Sequence, residues 1–296
     1  MAFSSGAQPM AGLVIEDRET RTHYPLEEVR NRVLLGDAFH VLPKLDDEIA
    51  DLVFIDPPYF LQLPGGRELR RWNVRTVVEG VDDSWDKFSS FQEYDAFIAG
   101  LLGEVRRVMK PTATVWVIAT YHSIFRIGKI MQDLGYWILN DVIWVKTNPM
   151  PNWLGVRFTN ATETLIWAVR DRGAGGYTFH REAARRWGIG RVGANVWVLP
   201  ICTGKERLRD GGKKLHSTQK PVELLKRVIL TSTNEGDLVL DPVAGTGTTG
   251  YVARALGRDF LMVEINPRYV QGIEERFRTP LQAAAGTVGR TWLSAG

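Results

Sequence analysis

The segment that most restricts the fold lies near the end of the chain. There a short apolar run, Asp237–Leu240, passes into Asp241-Pro242-Val243-Ala244-Gly245-Thr246-Gly247-Thr248-Thr249-Gly250. A buried strand, a tight glycine turn and a helix start, in that order, form the corner at which open α/β sheets hold nucleotide-like ligands. Glycine permits the sharp turn and the close approach of a ligand. The first helical N–H groups are free to meet a carboxylate or phosphate. Glu264 stands nineteen residues after Gly245, at the end of the next apolar run, where a carboxylate can accept hydrogen bonds from both hydroxyls of a ribose. The spacing of Gly245, Gly247 and Gly250 also satisfies the dinucleotide fingerprint, so a nicotinamide oxidoreductase is a rival at this point. Position separates the two. Only 46 residues follow Gly250, so the remaining strands are expected earlier in the chain, an order unusual for dehydrogenases.

Strand–helix alternation upstream supplies them. Arg32–Gly36, Asp51–Ile55, Thr114–Ala119, Asp141–Val145, Thr164–Val169, Asp237–Leu240 and Asp259–Val263 are short, rich in Val, Ile and Leu, and bounded by turn residues, as buried strands are. Helices are expected over Phe91–Met109, Ser123–Leu134, Thr218–Thr233, Thr248–Leu256 and Pro267–Arg278. The fold class that follows is α/β, a doubly wound, mostly parallel sheet. A composition of 44% hydrophobic and 24% charged residues in a chain of 296 is globular. One domain is expected over 25–285, with a flexible tail at 1–24 and another at 286–296. No apolar run reaches the ~18 residues of a transmembrane helix, and the N-terminus lacks the pattern of a signal peptide. The single cysteine, Cys202, excludes an intrachain disulfide framework and a cysteine-rich zinc site, and with it a zinc deaminase. A cytoplasmic protein is the simplest reading.

Charge is uneven. Residues 171–214 hold ten Lys or Arg against four acids, while the whole chain is only +3, which suits a polyanionic partner. This stretch is expected to form a small basic target-recognition insertion that need not be part of the sheet. Arg181, Arg185 and Arg186 are expected to share one helical turn there, since residues four apart share a helix face. A second long connection, Phe60–Asp86, carries Arg67, Arg70, Arg71 and Arg75. Connections of this length are unusual unless functional.

Asp51–Ile55 ends in Asp56-Pro57-Pro58-Tyr59. An acid at the carboxyl end of such a strand sits where α/β sheets bind ligands. Two prolines fix the backbone, remove two donors and leave carbonyl acceptors. Asp56 and the Pro57 carbonyl can together orient an NH2 group so that its lone pair faces an incoming electrophile. Tyr59 offers a flat face for an extruded base.

The two motifs, in this order, resemble the amino-methyltransferases of DNA in their permuted, β-class arrangement, over roughly Asn31 to Arg278. Four further stretches are similar to the cell-cycle-regulated, GANTC-modifying adenine methyltransferases: Asn148–Asn152, Glu163–Trp167, Pro200–Leu208 and His216–Pro221. The resemblance implies a circularly permuted Rossmann-like methyltransferase fold with S-adenosylmethionine as cofactor and no metal. It implies that Asp56, Pro57, Pro58 and Tyr59 are catalytic. Asp241, Gly245, Thr246, Gly247, Thr248 and Glu264 would hold the cofactor. Lys220 would lie beside the cofactor's methionine end, and Asp37 and Ala38 beside its adenine. Double-stranded DNA is the implied partner, with Arg67, Arg71, Arg181, Arg185 and Arg186 as candidate contacts. A second copy of the chain and a cognate restriction endonuclease are the protein partners such enzymes admit, and no membrane is implied. Asp in the first position of the tetrapeptide leans toward adenine N6, with cytosine N4 as the alternative. Phe60–Asp86 is expected to be mobile without DNA and to close over the flipped base.

Several conspicuous residues read more plainly. His23, His40, His122 and His180 have no metal spacing. Trp116, Trp144 and Trp167 fall in apolar strands and are expected in the core, whereas Trp72, Trp153 and Trp187 fall in loops where they could stack on bases. Cys202 reads as a small packed residue.

Overall fold

The computed structural model describes residues 12–61, 67–71, 74–78, 86–152, 155–187 and 193–279, with 67–71 and 74–78 as backbone alone. In chain order the elements are β1 (Val14–Glu16), α1 (Leu26–Val29), β2 (Arg32–Leu35), α2 (Ala38–Val41), β3 (Ala50–Ile55), β4 (Arg67–Arg71), β5 (Val74–Val78), α3 (Phe91–Val108), β6 (Met109–Ala119), α4 (Ile124–Asp133) and β7 (Trp137–Lys146). There follow β8 (Thr162–Val169), α5 (Arg181–Trp187), β9 (Val196–Leu199), β10 (Arg209–Asp210), β11 (Lys213–Lys214), α6 (Val222–Ser232), β12 (Leu238–Asp241), α7 (Thr248–Ala255), β13 (Asp259–Glu264) and α8 (Pro267–Arg278).

All seven expected strands join one sheet of nine, in the order β1-β2-β13-β12-β3-β6-β8-β7-β9. Neighbours run parallel except at β8, which is antiparallel to both β6 and β7. The reversal follows from connectivity: β7 and β8 pair up to Val145 against Thr162, a hairpin, which forces opposite directions. Helices cover both faces. The buried side of α3 (Ile98, Leu101, Val105) and of α4 (Ile127, Met131) packs with alternate strand residues on one face. On the other, α6 (Leu224, Leu225, Val228), α7 (Val252, Ala253) and α8 (Val270, Ile273, Phe277) pack with the complementary set. The sheet is therefore buried on both faces, which is why its central strands read as continuous apolar runs. At α3 the start is fixed by Ser90, whose hydroxyl accepts from Glu93 N–H at 3.1 Å, while Glu93 returns a carboxylate to Ser89 N–H at 2.7 Å, a reciprocal cap displaced by one residue.

Trp116, Trp144 and Trp167 are buried as expected, and Trp116 stacks on Trp167 at 5.4 Å and on Trp197 at 5.7 Å. Cys202 is buried and its thiol is pushed up to about 11 by that burial. Two expectations are corrected, and one left open is decided. The N-terminal tail does not extend to residue 24, because Val14–Glu16 pairs with β2 and Tyr24 is buried, its hydroxyl donating to Asp17 at 2.7 Å. The basic stretch, which was free to stand outside the sheet, joins it: its apolar Val196–Leu199 covers the open edge of β7, and Trp144 Nε1 donates to Leu199 O at 3.0 Å. Finally, α6 begins at Val222 rather than Thr218, since Pro221 holds an extended conformation (φ −70, ψ 143) and the residues before it are not helical. Among the described residues no helix is long and apolar enough to cross a membrane.

Candidate active site

The strand order reverses between β12 and β3. From β12 the chain crosses by α7 to β13 on one side, and from β3 by α3 to β6 on the other, with α7 and α3 on opposite faces. Such a switch point leaves a crevice at the carboxyl ends of the strands. A cavity of about 390 Å³ occupies it. Its walls include Asp37, Ala38, Asp56, Pro57, Pro58, Tyr59, Lys220, Asp241, Gly245, Thr246, Thr248 and Glu264. All the expected catalytic and cofactor positions thus meet in one cleft, apart from Gly247, which stands behind the turn as the left-handed N-cap of α7 (φ 66).

On the glycine side, Glu264 ties β13 to the turn. One carboxylate oxygen accepts from Gly245 N–H at 2.6 Å and the other from Asn266 N–H at 2.8 Å. Burial penalises its charge and raises its pKa to about 7. Asp241, at the end of β12, accepts from Val243 N–H at 3.1 Å and from the Thr249 hydroxyl at 2.5 Å, and burial likewise raises it to about 7. Asp37 caps α2 by accepting from Phe39 N–H at 2.9 Å. It lies beside Glu264 because Gly36 N–H donates to Glu264 O at 3.0 Å. His216 accepts from Thr218 N–H through Nδ1 at 3.1 Å, and burial lowers its pKa to about 3, so it is neutral at physiological pH.

On the other side the Asp56–Tyr59 turn is held from behind. Tyr94 OH donates to Pro58 O at 2.8 Å, which takes that carbonyl out of play. Phe60 adopts φ 52, a left-handed conformation that an aromatic residue enters only at a cost. The Asp86 carboxylate offsets it by accepting from Phe60 N–H at 2.6 Å and Leu61 N–H at 3.0 Å. The Phe60 ring stacks on Tyr94 at 5.6 Å. Tyr59 OH donates to Asp56 at 2.8 Å, and Lys220 Nζ reaches the other Asp56 oxygen at 2.6 Å while lying 5.1 Å from the Tyr59 ring centre. Burial pushes the Asp56 carboxyl up, against the pull of Lys220. Resemblance set Lys220 beside the cofactor's methionine end. Here its ammonium belongs to Asp56, while its backbone carbonyl accepts from the Thr248 hydroxyl at 3.4 Å, so the residue joins the two halves of the cleft.

Sequence reasoning missed Asp86, Glu163 and Lys146. Glu163 and Lys146 pair at 2.8 Å with side chains only 10% and 11% exposed, and Glu163 lies 3.2 Å from Tyr59 OH. A charged residue inside an apolar strand was the available signal, since such residues are almost never buried unpaired. Asp86 had none, its partners Phe60 and Leu61 being twenty-six and twenty-five residues away in sequence. Arg67 and Arg71 lie in the antiparallel hairpin β4–β5, their side chains outside the described residues, as are Trp72, Trp153 and most of the 60–86 connection. Arg181, Arg185 and Arg186 are exposed on α5. That helix runs back along α6, with His180 N–H donating to Thr231 O at 2.8 Å and Arg227 reaching Trp187 O at 3.3 Å. Arg181 is therefore at the far end of α6 from Lys220. Among the described residues no group of three or more His, Cys, Asp or Glu could hold a metal ion.

A family model for N6/N4 DNA methylases matches residues 50–275. The type II methyltransferase M.HinfI of Haemophilus influenzae is 47% identical over 254 residues, 86% of this chain and 70% of that protein. The type II methyltransferase M2.LlaDCHI of Lactococcus lactis subsp. cremoris is 37% identical over 253 residues, 85% of this chain and 91% of its own. Among solved structures, the cytosine-N4-specific PvuII DNA methyltransferase superposes with a TM-score of 0.64 at 18% identity, over 85% of this chain and 87% of that one. The M1.HpyAVI complex with S-adenosylmethionine does so with 0.56 at 22% identity, over 83% and 98%. At these identities the superpositions speak to the fold.

Proposed function

The chain belongs to the N6/N4 DNA methylase family, and from that premise we propose that it transfers a methyl group from S-adenosylmethionine to N6 of an adenine flipped out of duplex DNA. One observation carries the reading: the Asp56–Tyr59 turn and the glycine corner open into the same cavity. An acceptor for an amino group and a holder for the methyl donor then stand side by side.

The donor set fits the cofactor. Glu264 and Asp37 offer carboxylates to ribose hydroxyls and to the adenine amino group. The start of α7 offers N–H groups to a carboxylate, and Phe39, Val243 and Ile265 supply apolar wall. Bound there, S-adenosylmethionine supplies a methyl group already activated by its sulfonium. The task left to the chain is alignment, which can contribute several kcal/mol. Asp56 and the Pro57 carbonyl accept the two amino hydrogens and turn the nitrogen lone pair toward the cofactor side. Tyr59 stacks against the extruded ring. Extrusion costs a few kcal/mol, which phosphate contacts offset.

Asp56, rather than Ser, in the first motif position supports adenine as the target. The similarity of Asn148–Asn152, Glu163–Trp167, Pro200–Leu208 and His216–Pro221 to the GANTC-modifying group supports a site of that kind. In this reading the segment 171–214 reads sequence, and Arg67 and Arg71 contact phosphates. Both relatives are named type II methyltransferases, which supports a companion restriction endonuclease and action in the cytoplasm. Sequencing with modification detection, on DNA from cells expressing the protein or its Asp56→Ala variant, tests all of this. N6-methyladenine in GANTC, absent from the variant, is the expected result. N4-methylcytosine would move the chemistry to the other base, and unmodified DNA would defeat the reading.

A further inference from the structure

We propose that Glu163 is a positioning residue for the transfer reaction, the alternative acceptor that receives Tyr59 and Lys220 when Asp56 turns to the target amino group. The inference rests on the reading of Asp56 as the acceptor of that group.

Four charged side chains with little exposure, Lys146, Glu163, Lys220 and Asp56, alternate in sign, and the last two line the cleft. Lys146 Nζ is 2.8 Å from Glu163 Oε1, and Lys220 Nζ is 2.6 Å from Asp56 Oδ2 and 3.8 Å from Glu163 Oε2. The Tyr59 hydroxyl sits between the two carboxylates, 2.8 Å from Asp56 Oδ1 and 3.2 Å from Glu163 Oε2. That hydroxyl carries one hydrogen, so it serves one carboxylate at a time. In the arrangement observed, each Asp56 oxygen holds a donor, and one of those donors is a full cation. An amino group arriving at Asp56 competes with both.

Competition is costly when a displaced donor has nowhere to go, since a buried donor left unmatched loses its full solvation. Glu163 removes that cost because it already lies within a short side-chain movement of both donors. It also stays charged for the purpose. Burial works against its ionisation, but Lys220 and Lys146 outweigh burial and hold its pKa below the usual carboxylate value. A bystander role would consist only of balancing Lys146.

The full-length chain tests this through Glu163→Gln, Glu163→Asp and the double variant Glu163→Gln/Lys146→Met, each followed by single-turnover methylation of duplex DNA, cofactor affinity and thermal unfolding. Glu163→Gln is expected to slow the single-turnover rate about tenfold or more while cofactor affinity and the KM for DNA stay near wild type. Glu163→Asp, which keeps the carboxylate, should recover part of the rate. The double variant removes the unmatched cation, so it should regain thermal stability without regaining rate, and it carries the test if Glu163→Gln does not fold. Full recovery of rate in the double variant, or an unchanged rate in Glu163→Gln, would overturn the proposal. The reading beneath it fails separately, if Asp56→Ala retains activity.

Discussion

In the proposed reading Asp56 addresses the target and Glu264 the cofactor, two residues lining one cavity, and substitutions should separate them. Asp56→Ala is expected to lower methyl transfer by about 10²–10³-fold or more with cofactor affinity close to wild type. The loss of Asp56 does not strand Lys220, because Glu163 is 3.8 Å away. Calorimetry showing lost cofactor binding in that variant would contradict the division. Glu264 and Asp241 give a pH signature. Both have pKa values near 7 in the fold, raised by burial from ordinary values of 4.5 and 3.8. Between those limits the ligand-free fold binds more protons than the unfolded chain. The stability this contributes is therefore fully present below the ordinary values and lost as pH rises to about 7. Ribose hydroxyls favour the ionised Glu264, so cofactor binding should release a proton below pH 7 and weaken as pH falls toward 5. Calorimetry at pH 6 in buffers of different ionisation enthalpy reads that proton. Equal heats in all buffers would mean that Glu264 does not meet the ribose, and Glu264→Gln should abolish the difference where wild type shows it.

Two helical glycines make opposite demands on their elements. A Cβ on Gly250, in α7, would lie 2.6 Å from Met262 Sδ and 3.0 Å from Phe260 Cδ2 in β13. The close approach of α7 to its strand is what brings the glycine turn into the cleft, and Gly250→Ala should cost about 1–3 kcal/mol by overpacking. Gly103 is exposed within α3, and a Cβ there meets nothing within 4 Å, so Gly103→Ala should add about 0.5–1 kcal/mol. Denaturant unfolding of both variants checks the contrast, and equal signs would refute it. The same distinction explains what the sequence reveals of the fold. β3, β12 and β13 are buried on both faces, so Leu52–Ile55, Leu238–Leu240 and Phe260–Val263 are continuous apolar runs, and the strand limits are readable within a residue or two. β1 and β9 are edge strands of three and four residues, partly exposed, too short for a period to show. The cleft was legible wherever a motif is local, as at Asp56–Tyr59 and Gly245–Thr248. It was not where partners meet only through the sheet: Glu163 reaches Tyr59 because β8 lies two places from β3. Lys220 reaches Asp56 because Pro221 keeps its segment extended, where apolar periodicity alone had suggested helix.

Across the whole molecule, the two basic regions stand differently to the cleft. α5 lies antiparallel on α6, with His180 against Thr231, and α6 carries eleven residues, about 16 Å of helix, between that end and the segment holding Lys220. A duplex whose target base is seated at Asp56 is centred on the opposite end of α6 from Arg181. The hairpin β4–β5, by contrast, lies in the connection that follows the Asp56–Tyr59 turn in the chain, and the first residues of that connection, Phe60 and Leu61, donate their N–H groups to its last, Asp86. Phosphate contacts fix position without reading sequence, and each contributes about 0.9 to the slope of log affinity against log salt. Neutralising Arg67 and Arg71 together should therefore flatten that slope by up to about 1.8 and weaken binding to every duplex, with site preference intact. Neutralising Arg181, Arg185 and Arg186 should change the slope by less than one contact. Titrations of both variants against specific and unrelated duplexes over a range of salt give the comparison. If the α5 variant shows the larger loss, the duplex runs along α6 and the hairpin is not its anchor. If the hairpin variant keeps its affinity but methylates new sequences, Arg67 and Arg71 read bases instead of gripping the backbone.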